Sequence, residues 1–455
     1  MFTHVAQRRG FRQYLAGLLA PRDRNKTLTA LAGAGPVTGS KLAAVQRLQW
    51  FLPESVRDPD VVNARRLELL AGDPATAPHG GGVLVIDDSG DRKDGTATAF
   101  TGRQWPGRYG KTGNGIVTVT TLWAGEQLYY PLHAWPYTPA RRLPGGKNDP
   151  LFRAKLQIAA DLAGQAQAAG VPFRAVAADC AYGDQDGFRA DLRGLGAPFA
   201  VALKPHRGTW ACGDSARTPV DAARDLAWNG PDHPGDWRPA TRRFRDGHAG
   251  TWRAGDATLG WRGPDGTTRL VAATADPAVL ADKATWYLAT CLPRPGSPRE
   301  HDSPWPAAPL AEVVRIYGLR PWVEQSYKQV KDELGWADFQ VRSAIAIRRH
   351  QVLVNCAFSF CRDTWLTAPP HPGQHRQARK RGGTATQPQQ PRKYSPIPPA
   401  PSWPHALRAV RSWLTPATTL TRWWHAWSKA PPPAELQHLL DTVTAGHGLY
   451  LYLPP

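Results

Sequence analysis

Long apolar runs and paired cysteines are both missing from this chain of 455 residues. No stretch of about 18 consecutive apolar residues occurs, so we expect no membrane-spanning helix. The five cysteines form no Cys-x-x-Cys pair, and their odd number argues against a closed disulfide framework and for a reducing cytoplasm. The 14 histidines show no zinc-binding spacing, so carboxylates would have to hold any metal.

Acidic residues are scarce relative to basic ones. Lys and Arg number 56 against 37 Asp and Glu, which gives a formal net charge of +19. This balance is typical of proteins that bind polyanions such as DNA. Hydrophobic residues make up 42% of the chain, which excludes wholesale disorder, and the length indicates two or three structural units.

Residues 1–78 have the apolar spacing of short helices and are interpreted as a helical N-terminal DNA-binding domain. Basic side chains lie between the apolar positions, among them Arg22, Arg24, Lys26, Lys41 and Arg47. They form either the solvated face of a helical bundle or a surface that binds DNA phosphates. The sequence does not decide between these two interpretations.

Residues 79–206 have the pattern of a mixed α/β sheet. Val83–Ile86 predicts a buried strand that ends at Asp87-Asp88-Ser89-Gly90. The further predicted strands are Ile116–Trp123, Leu128–Ala134 with a hairpin at Gly125-Glu126, Phe173–Ala178 ending at Asp179, and Ala197–Leu203. The predicted helices are Asp149–Ala169, with Asp149 as N-cap, and Asp184–Gly194. The order βββαβαβ therefore places acids at the ends of the first and fourth strands.

The rest of the chain changes character three times. Residues 207–309 are rich in Trp and turn signals and predict an all-β insertion, and residues 310–366 return to a helical pattern that completes the core. Residues 367–401 predict a basic linker rich in Pro and Gln. Residues 402–455 predict a small C-terminal appendage.

Four polar residues near Leu319 share a spacing that suggests one helix face. Tyr317, Arg320, Glu324 and Lys331 would lie within roughly 60° of one another at ~100° per residue. A stripe of mixed charge is usually a solvated face, but apolar neighbours such as Trp322 and Val323 indicate a buried helix whose charges need partners. The acids of the first and fourth strands are available, and three carboxylates sharing two hard cations suit phosphoryl transfer.

At these residues the sequence resembles the DDE transposases of bacterial insertion sequences that carry the Y-x2-R-x3-E-x6-K signature. VLVIDDSGDRKDGT resembles their first-aspartate motif, RQWPGRYGKTGN the following loop and AVAADCAYGD the second-aspartate motif. RIYGLRPWVEQSYKQVKDELGWADFQVRS resembles the segment around their glutamate. The four motifs occur in order between Gly81 and Trp365.

The resemblance implies a ribonuclease-H-like core with a β insertion and a metal-binding triad of Asp87, Asp179 and Glu324. Asp88 would face away from the metals, since the family motif Asp-x-Ser/Thr selects Asp87. The triad would hold two divalent ions, Mg²⁺ or alternatively Mn²⁺. The resemblance implies DNA phosphate contacts by Tyr317, Arg320 and Lys331. It also implies that Trp286 holds a flipped base, with a core or interface role as the alternative, because the chain contains 19 Trp. Lys111 in the loop WPGRYGKT is expected to contact DNA, with solvent exposure as the alternative.

The function implied is cut-and-paste transposition of an insertion sequence, with hairpin ends as an optional intermediate. Double-stranded DNA would be the partner, both as element ends and as target, and a homodimer would synapse two ends in the cytoplasm at the nucleoid. Two alternatives stay open. One is a DNA-binding protein descended from a transposase that no longer cuts, and the other is a hydrolytic metal-dependent nuclease without strand transfer.

Overall fold

The structure is a computed structural model that describes residues 4–22, 24–36, 38–54, 58–105, 110–208, 216–243, 248–367, 402–414, 424, 427, 428 and 430–444. The described chain forms two compact units. The first comprises Met1–Leu18 and Arg22–Phe358, and the second comprises Leu19–Pro21 and Ser359–Pro455. The linker predicted over 367–401 lies outside the described residues, apart from its first position.

The secondary structure is mixed α and β throughout the first unit. Its strands are β1 Val83–Arg92, β2 Gly102–Gln104, β3 Gly113–Ala124, β4 Tyr129–Pro136, β5 Ala175–Ala178, β6 Phe199–Ala202, β7 Arg238–Arg243, β8 Ala249–Ala257, β9 Arg269–Thr274 and β10 Thr285–Thr290. The helices are α1 Val5–Leu19, α2 Leu28–Leu31, α3 Ala43–Glu54, α4 Pro59–Gly72, α5 Lys155–Ala168, α6 Cys180–Gly183, α7 Asp186–Gly194, α8 Pro219–Arg224, α9 Arg299–Asp302, α10 Leu310–Gly318, α11 Trp322–Asp332, α12 Ala344–Thr367, α13 Trp403–Leu414 and α14 Ala434–Thr444.

All ten strands belong to one sheet in the order β2-β3-β1-β5-β6-β10-β9-β8-β7, with β4 also paired to β3. Strand β1 is antiparallel to β3 and parallel to β5, which is in turn parallel to β6. Val83 to Ile86 are completely buried because β1 is central and covered on both faces. This mixed sheet agrees with the predicted ribonuclease-H-like core. The hairpin at Gly125 is confirmed, since its N–H donates to the carbonyl of Leu128 over 2.8 Å.

Strand β1 does not end before the acidic residues, contrary to the sequence prediction. It continues to Arg92 because β3 offers ladder partners along its whole length, from Val83 opposite Ala124 to Arg92 opposite Gly115. Parallel pairing with β5 stops earlier, at Ile86 opposite Ala178. Asp87 and Asp179 are therefore the next residues of two paired strands, at the point where β5 ends.

Helix α5 packs its apolar stripe, which includes Ile158 and Leu162, against β3 and β4. It begins five residues later than predicted, with Ala154 rather than Asp149 as its N-cap. Asp149 is not its N-cap, because its carboxylate accepts hydrogen bonds from the backbone of Gly145 and Leu151 in a turn. Gln157 instead closes the helix start by accepting the N–H of Ala154.

The sequence predicts that the segment 207–309 is all β. The prediction is wrong in part, because the segment also contains the short helices α8 and α9. Thr218 caps α8 and Pro219 occupies its first position, an arrangement that favours a helix start. The four strands β7 to β10 extend the main sheet, since β10 pairs antiparallel with β6. The strands of this segment therefore continue the sheet beyond β6.

The predicted single helix through Tyr317 and Lys331 is two helices. Helix α10 ends at Gly318 and α11 begins at Trp322, with Pro321 as its N-cap. A proline has no N–H to donate to the carbonyl four residues earlier, which here belongs to Tyr317. That carbonyl accepts the N–H of Arg320 instead, over 3.0 Å. Arg320 therefore lies in the turn between the helices.

Three of the basic residues near the N-terminus stabilise the fold. Arg22 donates to the carbonyls of Lys331 and Asp332 and pairs with Asp338 at 2.8 Å. The buried ammonium of Lys26 donates to carbonyls at the end of α1, and Arg24 donates to the carbonyl of Ala34. Neither sequence interpretation holds for these three residues. Lys41 and Arg47 are exposed, and Arg47 donates to Gln13.

Among the described residues, the second unit contains helices α13 and α14 and the end of α12. Trp403, Ala406, Leu407 and Val410 form the buried stripe of α13, and Arg411 donates to the carbonyl of Leu19.

Across the described residues, none of the helices combines the length and hydrophobicity that crossing a membrane requires. Cys180, Cys291, Cys356 and Cys361 are free thiols, and Cys212 lies outside the described residues.

Candidate active site

The side chain of Asp87 points to the same side of β1 as α11. It is 14% exposed and lies 3.3 Å from a guanidinium nitrogen of Arg320. Burial raises the pKa of Asp87 to about 7, an effect that Arg320 partly offsets. Asp88 faces the opposite side, where its carboxylate pairs with Lys155 of α5 at 2.6 Å. The alternation of side chains along a strand therefore separates the two adjacent acids.

Asp179 follows β5 and caps the short helix α6. One carboxylate oxygen accepts the N–H of Ala181 over 3.0 Å, and the other lies 3.6 Å from Arg320. This capping bond fixes the direction of the side chain, because an N-cap carboxylate binds the free N–H groups of the first helical turn. The cap therefore aims the second oxygen of Asp179 at the turn between α10 and α11.

Glu324 completes the cluster from the first turn of α11. Its carboxylate lies 3.1 Å from the second terminal nitrogen of Arg320, four residues earlier, and its side chain is 61% exposed. Asp87, Asp179 and Glu324 are thus gathered around one guanidinium. Burial lowers the pKa of Arg320, but the neighbouring acidic groups, Asp87 first, more than offset this effect and raise it.

The donor set suits a hard cation, because carboxylate oxygens are the ligands that Mg²⁺ and Mn²⁺ prefer. Three carboxylates that converge on one positive charge also provide the electrostatic environment that such an ion needs. In the part of the chain that the structure describes, no three Asp, Glu, His or Cys side chains form a group that could hold one ion as they stand. Arg320 lies between these three carboxylates and offsets part of their negative charge in this arrangement.

Tyr317 and Trp286 lie together beside this cluster. Tyr317 is buried in α10, and burial raises its pKa to about 12. The Trp286 ring on β10 is half-buried and contacts Tyr317 edge to face at a centroid distance of 5.0 Å. Its other contacts are Trp252 at 4.5 Å and the guanidinium of Arg242 at 4.4 Å. The sequence did not single out Trp252 or Arg242, since the chain contains 19 Trp.

Two further predicted DNA contacts lie in different environments. The Lys331 ammonium is buried and pairs with Asp91 at 2.6 Å, at the far end of α11 from Glu324. Lys111 is exposed directly before β3, and no contact within the described residues links it to the acid cluster. The structure therefore brings together Asp87, Asp179, Arg320, Glu324, Tyr317 and Trp286, but not these two lysines.

Two tyrosines beside Asp87, half-buried Tyr327 and buried Tyr182, were not predicted from the sequence to belong to the site. The Tyr327 hydroxyl bonds to Thr120 at 2.6 Å, and Thr120 is the β3 partner of Asp87. Tyr182 lies three residues after Asp179, and its buried hydroxyl has no hydrogen-bond partner among the described residues. Burial raises the pKa of both phenols, Asp87 and Asp88 adding to the effect. Tyr182 lies within the quoted motif AVAADCAYGD, which is the only sequence signal that could have found it.

A mixed sheet with aspartates at two neighbouring strands and a glutamate on a nearby helix is consistent with a DDE-type endonuclease. Residues 1–263 match the family described as DDE superfamily endonuclease, and the chain belongs to this family. The matched range includes Asp87 and Asp179, and Glu324 lies beyond it.

The chain is also similar to the probable transposase for insertion sequence element IS701 of Microchaete diplosiphon. The two are 31% identical over 342 residues, which is 75% of this chain and 79% of that protein. The two comparisons together make the chain an enzyme of the transposase class.

Proposed function

We propose that this transposase cuts and joins double-stranded DNA at the ends of an insertion sequence and moves the element by cut and paste. The observation that carries the proposal is the position of Arg320 within 3.6 Å of Asp87, Asp179 and Glu324. These residues come from β1, the end of β5 and α11, which are distant in the sequence. The proposal assigns the triad to metal binding and catalysis.

The cofactors in this proposal are two divalent cations, Mg²⁺ or alternatively Mn²⁺, held by Asp87, Asp179 and Glu324. Bound there, they would supply activation of the attacking oxygen and stabilisation of the leaving oxygen. The protein's own part is mostly orientation and electrostatics. Arg320 presents a planar pair of donors that fits a phosphate as well as a carboxylate, and Tyr317 packs beside it.

The proposed reaction begins with one hydrolysis, and every later step exchanges one phosphodiester bond for another. Water attacks the phosphorus at the element's end, and a 3′-oxygen leaves and takes up a proton as a 3′-hydroxyl. That hydroxyl then attacks a second phosphorus and displaces another 3′-oxygen, so one phosphodiester bond forms as one breaks. Attack on the opposite strand would give a hairpin end, and attack on target DNA would give the joined product.

Basic surface outside the acid cluster supports the assignment of DNA as partner. Helix α1 exposes Arg8, Arg9 and Arg12, and α3 exposes Arg47. The proposal keeps the N-terminal helices as a DNA-binding region and Lys111 as a phosphate contact. A homodimer would join two ends, and the protein would act in the cytoplasm on nucleoid DNA.

The proposal is tested with the full chain and a linear fragment that carries the terminal repeats of its own element. With Mg²⁺ or Mn²⁺, the wild type should nick the ends and join them to target DNA. Glu324→Gln should bind the fragment as tightly and lose cleavage, because it removes one acidic oxygen donor. Retained cleavage in this variant would remove Glu324 from the triad.

Product analysis separates the remaining possibilities. Tight binding without cleavage by the wild type would identify a DNA-binding protein, and nicks without joined products would identify a hydrolytic nuclease. Trp286→Ala should reduce hairpin products more than first-strand nicks if its ring holds a flipped base, since an aromatic platform offsets part of the unstacking cost. Trp261→Ala, at an exposed position, is the matched control.

A further inference from the structure

Helix α11 contacts β1 at two separated points. Near its start, Glu324 reaches the guanidinium that also contacts Asp87. Near its end, the Lys331 ammonium lies 2.6 Å from Asp91 and donates to the carbonyl of Gly90 over 3.0 Å. The side chains of Lys331 and Asp91 are 8% and 5% exposed, so this second contact is a buried ion pair.

The spacing of these residues makes the two contacts parts of one arrangement. Asp87 and Asp91 are four positions apart on β1, and even spacing puts them on one face of the strand. Glu324 and Lys331 are seven positions apart on α11, and two helical turns put them on one face of the helix. One strand face and one helix face therefore carry the acids at one end and the ion pair at the other.

The surroundings of Lys331 do not favour a phosphate contact. Two of its three N–H groups are used by Asp91 and Gly90, and the ammonium also lies 5.9 Å from the Tyr327 ring. If Lys331 turned to a DNA phosphate, the buried carboxylate of Asp91 would lose its partner, which costs free energy. By contrast Lys328, one turn earlier on α11, is exposed.

We propose that Asp91 and Lys331 are positioning residues, whose buried ion pair holds α11 against β1 so that Glu324 stands beside Asp87. The inference rests on the proposed function, because it gives the pair a role in shaping the triad. Lys331 then acts through Glu324 and makes no direct contact with DNA phosphates.

The salt dependence of DNA binding separates this role from a phosphate contact. The logarithm of the binding constant falls with the logarithm of salt concentration, and losing one phosphate contact reduces the slope by about 1. Lys331→Met should leave the slope as it is in wild type, and Lys328→Met, which removes one exposed charge from the same helix, is the matched comparison. A slope that is shallower by about 1 in Lys331→Met than in wild type would overturn the proposal, whatever Lys328→Met shows.

Mn²⁺ binding to the full chain without DNA tests the effect on the triad, with isothermal titration as the readout. Lys331→Met and Asp91→Asn should each weaken Mn²⁺ binding by about tenfold, and the double variant should be no weaker than either single one. Lys331→Arg, which keeps the charge, should bind Mn²⁺ within about threefold of wild type. The proposal would be overturned if the double variant bound Mn²⁺ more weakly than either single variant. It would equally be overturned if both single variants bound Mn²⁺ as wild type does, or if Lys331→Arg lost Mn²⁺ affinity as Lys331→Met does.

Two controls keep the result interpretable. If the single variants fail to fold, Lys331→Arg and the double variant carry the test, since neither leaves an uncompensated buried charge. Glu324→Gln separates this inference from the proposed function. Normal Mn²⁺ binding in Glu324→Gln would refute the triad itself, whereas weakened binding there with normal binding in Lys331→Met would refute only the positioning role.

Discussion

Arg320 donates a hydrogen bond to Asp87 across 3.3 Å, although the two residues are 233 positions apart in the sequence. The same guanidinium reaches Asp179 and Glu324, so one side chain joins all three acids of the proposed triad. A guanidinium in this position offsets the mutual repulsion of three carboxylates. It also competes with any cation that the same carboxylates would hold.

Replacing Arg320 should make the protein more responsive to divalent cations. In Arg320→Gln the carboxylates lose their internal counter-charge, so the fold should be less stable by about 1 to 3 kcal/mol without metal. Mg²⁺ should then raise the melting temperature of the variant more than that of wild type, because ligand binding to the folded state stabilises it. Arg315→Gln, which breaks the exposed pair with Glu126, is the control. Equal Mg²⁺-induced shifts in all three proteins would contradict the competition.

Asp87 and Asp88 should differ sharply in their importance for cleavage. Asp87→Asn should lower the rate by at least about a hundredfold, since it removes a negative charge from the proposed triad. Asp88→Asn should retain the rate within a few fold, because Asp88 pairs with Lys155 on the opposite side of β1. Cleavage rates at saturating Mg²⁺ provide the measurement. A larger loss of cleavage rate in Asp88→Asn than in Asp87→Asn would show that Asp88, and not Asp87, belongs to the triad.

Gly183 should tolerate no side chain. A Cβ at this position would collide with the backbone carbonyl of Ala202, whereas a Cβ at Gly187 would meet no atom within 4 Å. Gly183→Ala should therefore cost about 1 to 3 kcal/mol and disturb the turn that Asp179 caps. Gly187→Ala, within helix α7, should be neutral or stabilising. Urea unfolding of both variants tests the contrast, and equal midpoints would show that the turn adapts.

His350 should make stability depend on pH. Its Nε2–H donates to the carbonyls of Gly335 and Trp336, which can only accept. In the neutral ring that burial favours, Nδ1 accepts from the Tyr14 hydroxyl at 2.7 Å. Burial lowers the pKa of His350 to about 4 from its ordinary 6.5. The unfolded chain therefore binds a proton first as the pH falls, and stability should decline between pH 6.5 and 4.

The loss attributable to His350 should reach about 3 kcal/mol by pH 4, at about 1.4 kcal/mol per unit. Urea midpoints at several pH values measure it, with tryptophan fluorescence as the signal. His350→Gln should flatten the profile in this range, and His301→Gln, at an exposed position, should not. A profile of equal steepness in wild type and His350→Gln would remove His350 as the cause.

The strands of the core could be predicted because their residues leave little choice. Val83–Ile86 and the alternating residues of β3 are apolar runs that only a buried sheet accommodates, and Gly125 marks the hairpin. The break between α10 and α11 was missed although Pro321 signals it, because the apolar spacing continues through the turn. The start of α5 was missed because Asp149 and Pro150 form a turn that looks locally like a helix start.

The sequence by itself determined which chemical groups are present and in what order: two aspartates at strands, a glutamate on a helix, and an arginine close before it. The tertiary structure alone decided that Arg320 stands between the acids, that Asp88 turns to Lys155, and that Lys331 pairs with Asp91. Local spacing fixes only which face of an element a side chain occupies. Its partner is decided by the element that packs there, and for β1 and α11 that element comes from more than 200 residues away.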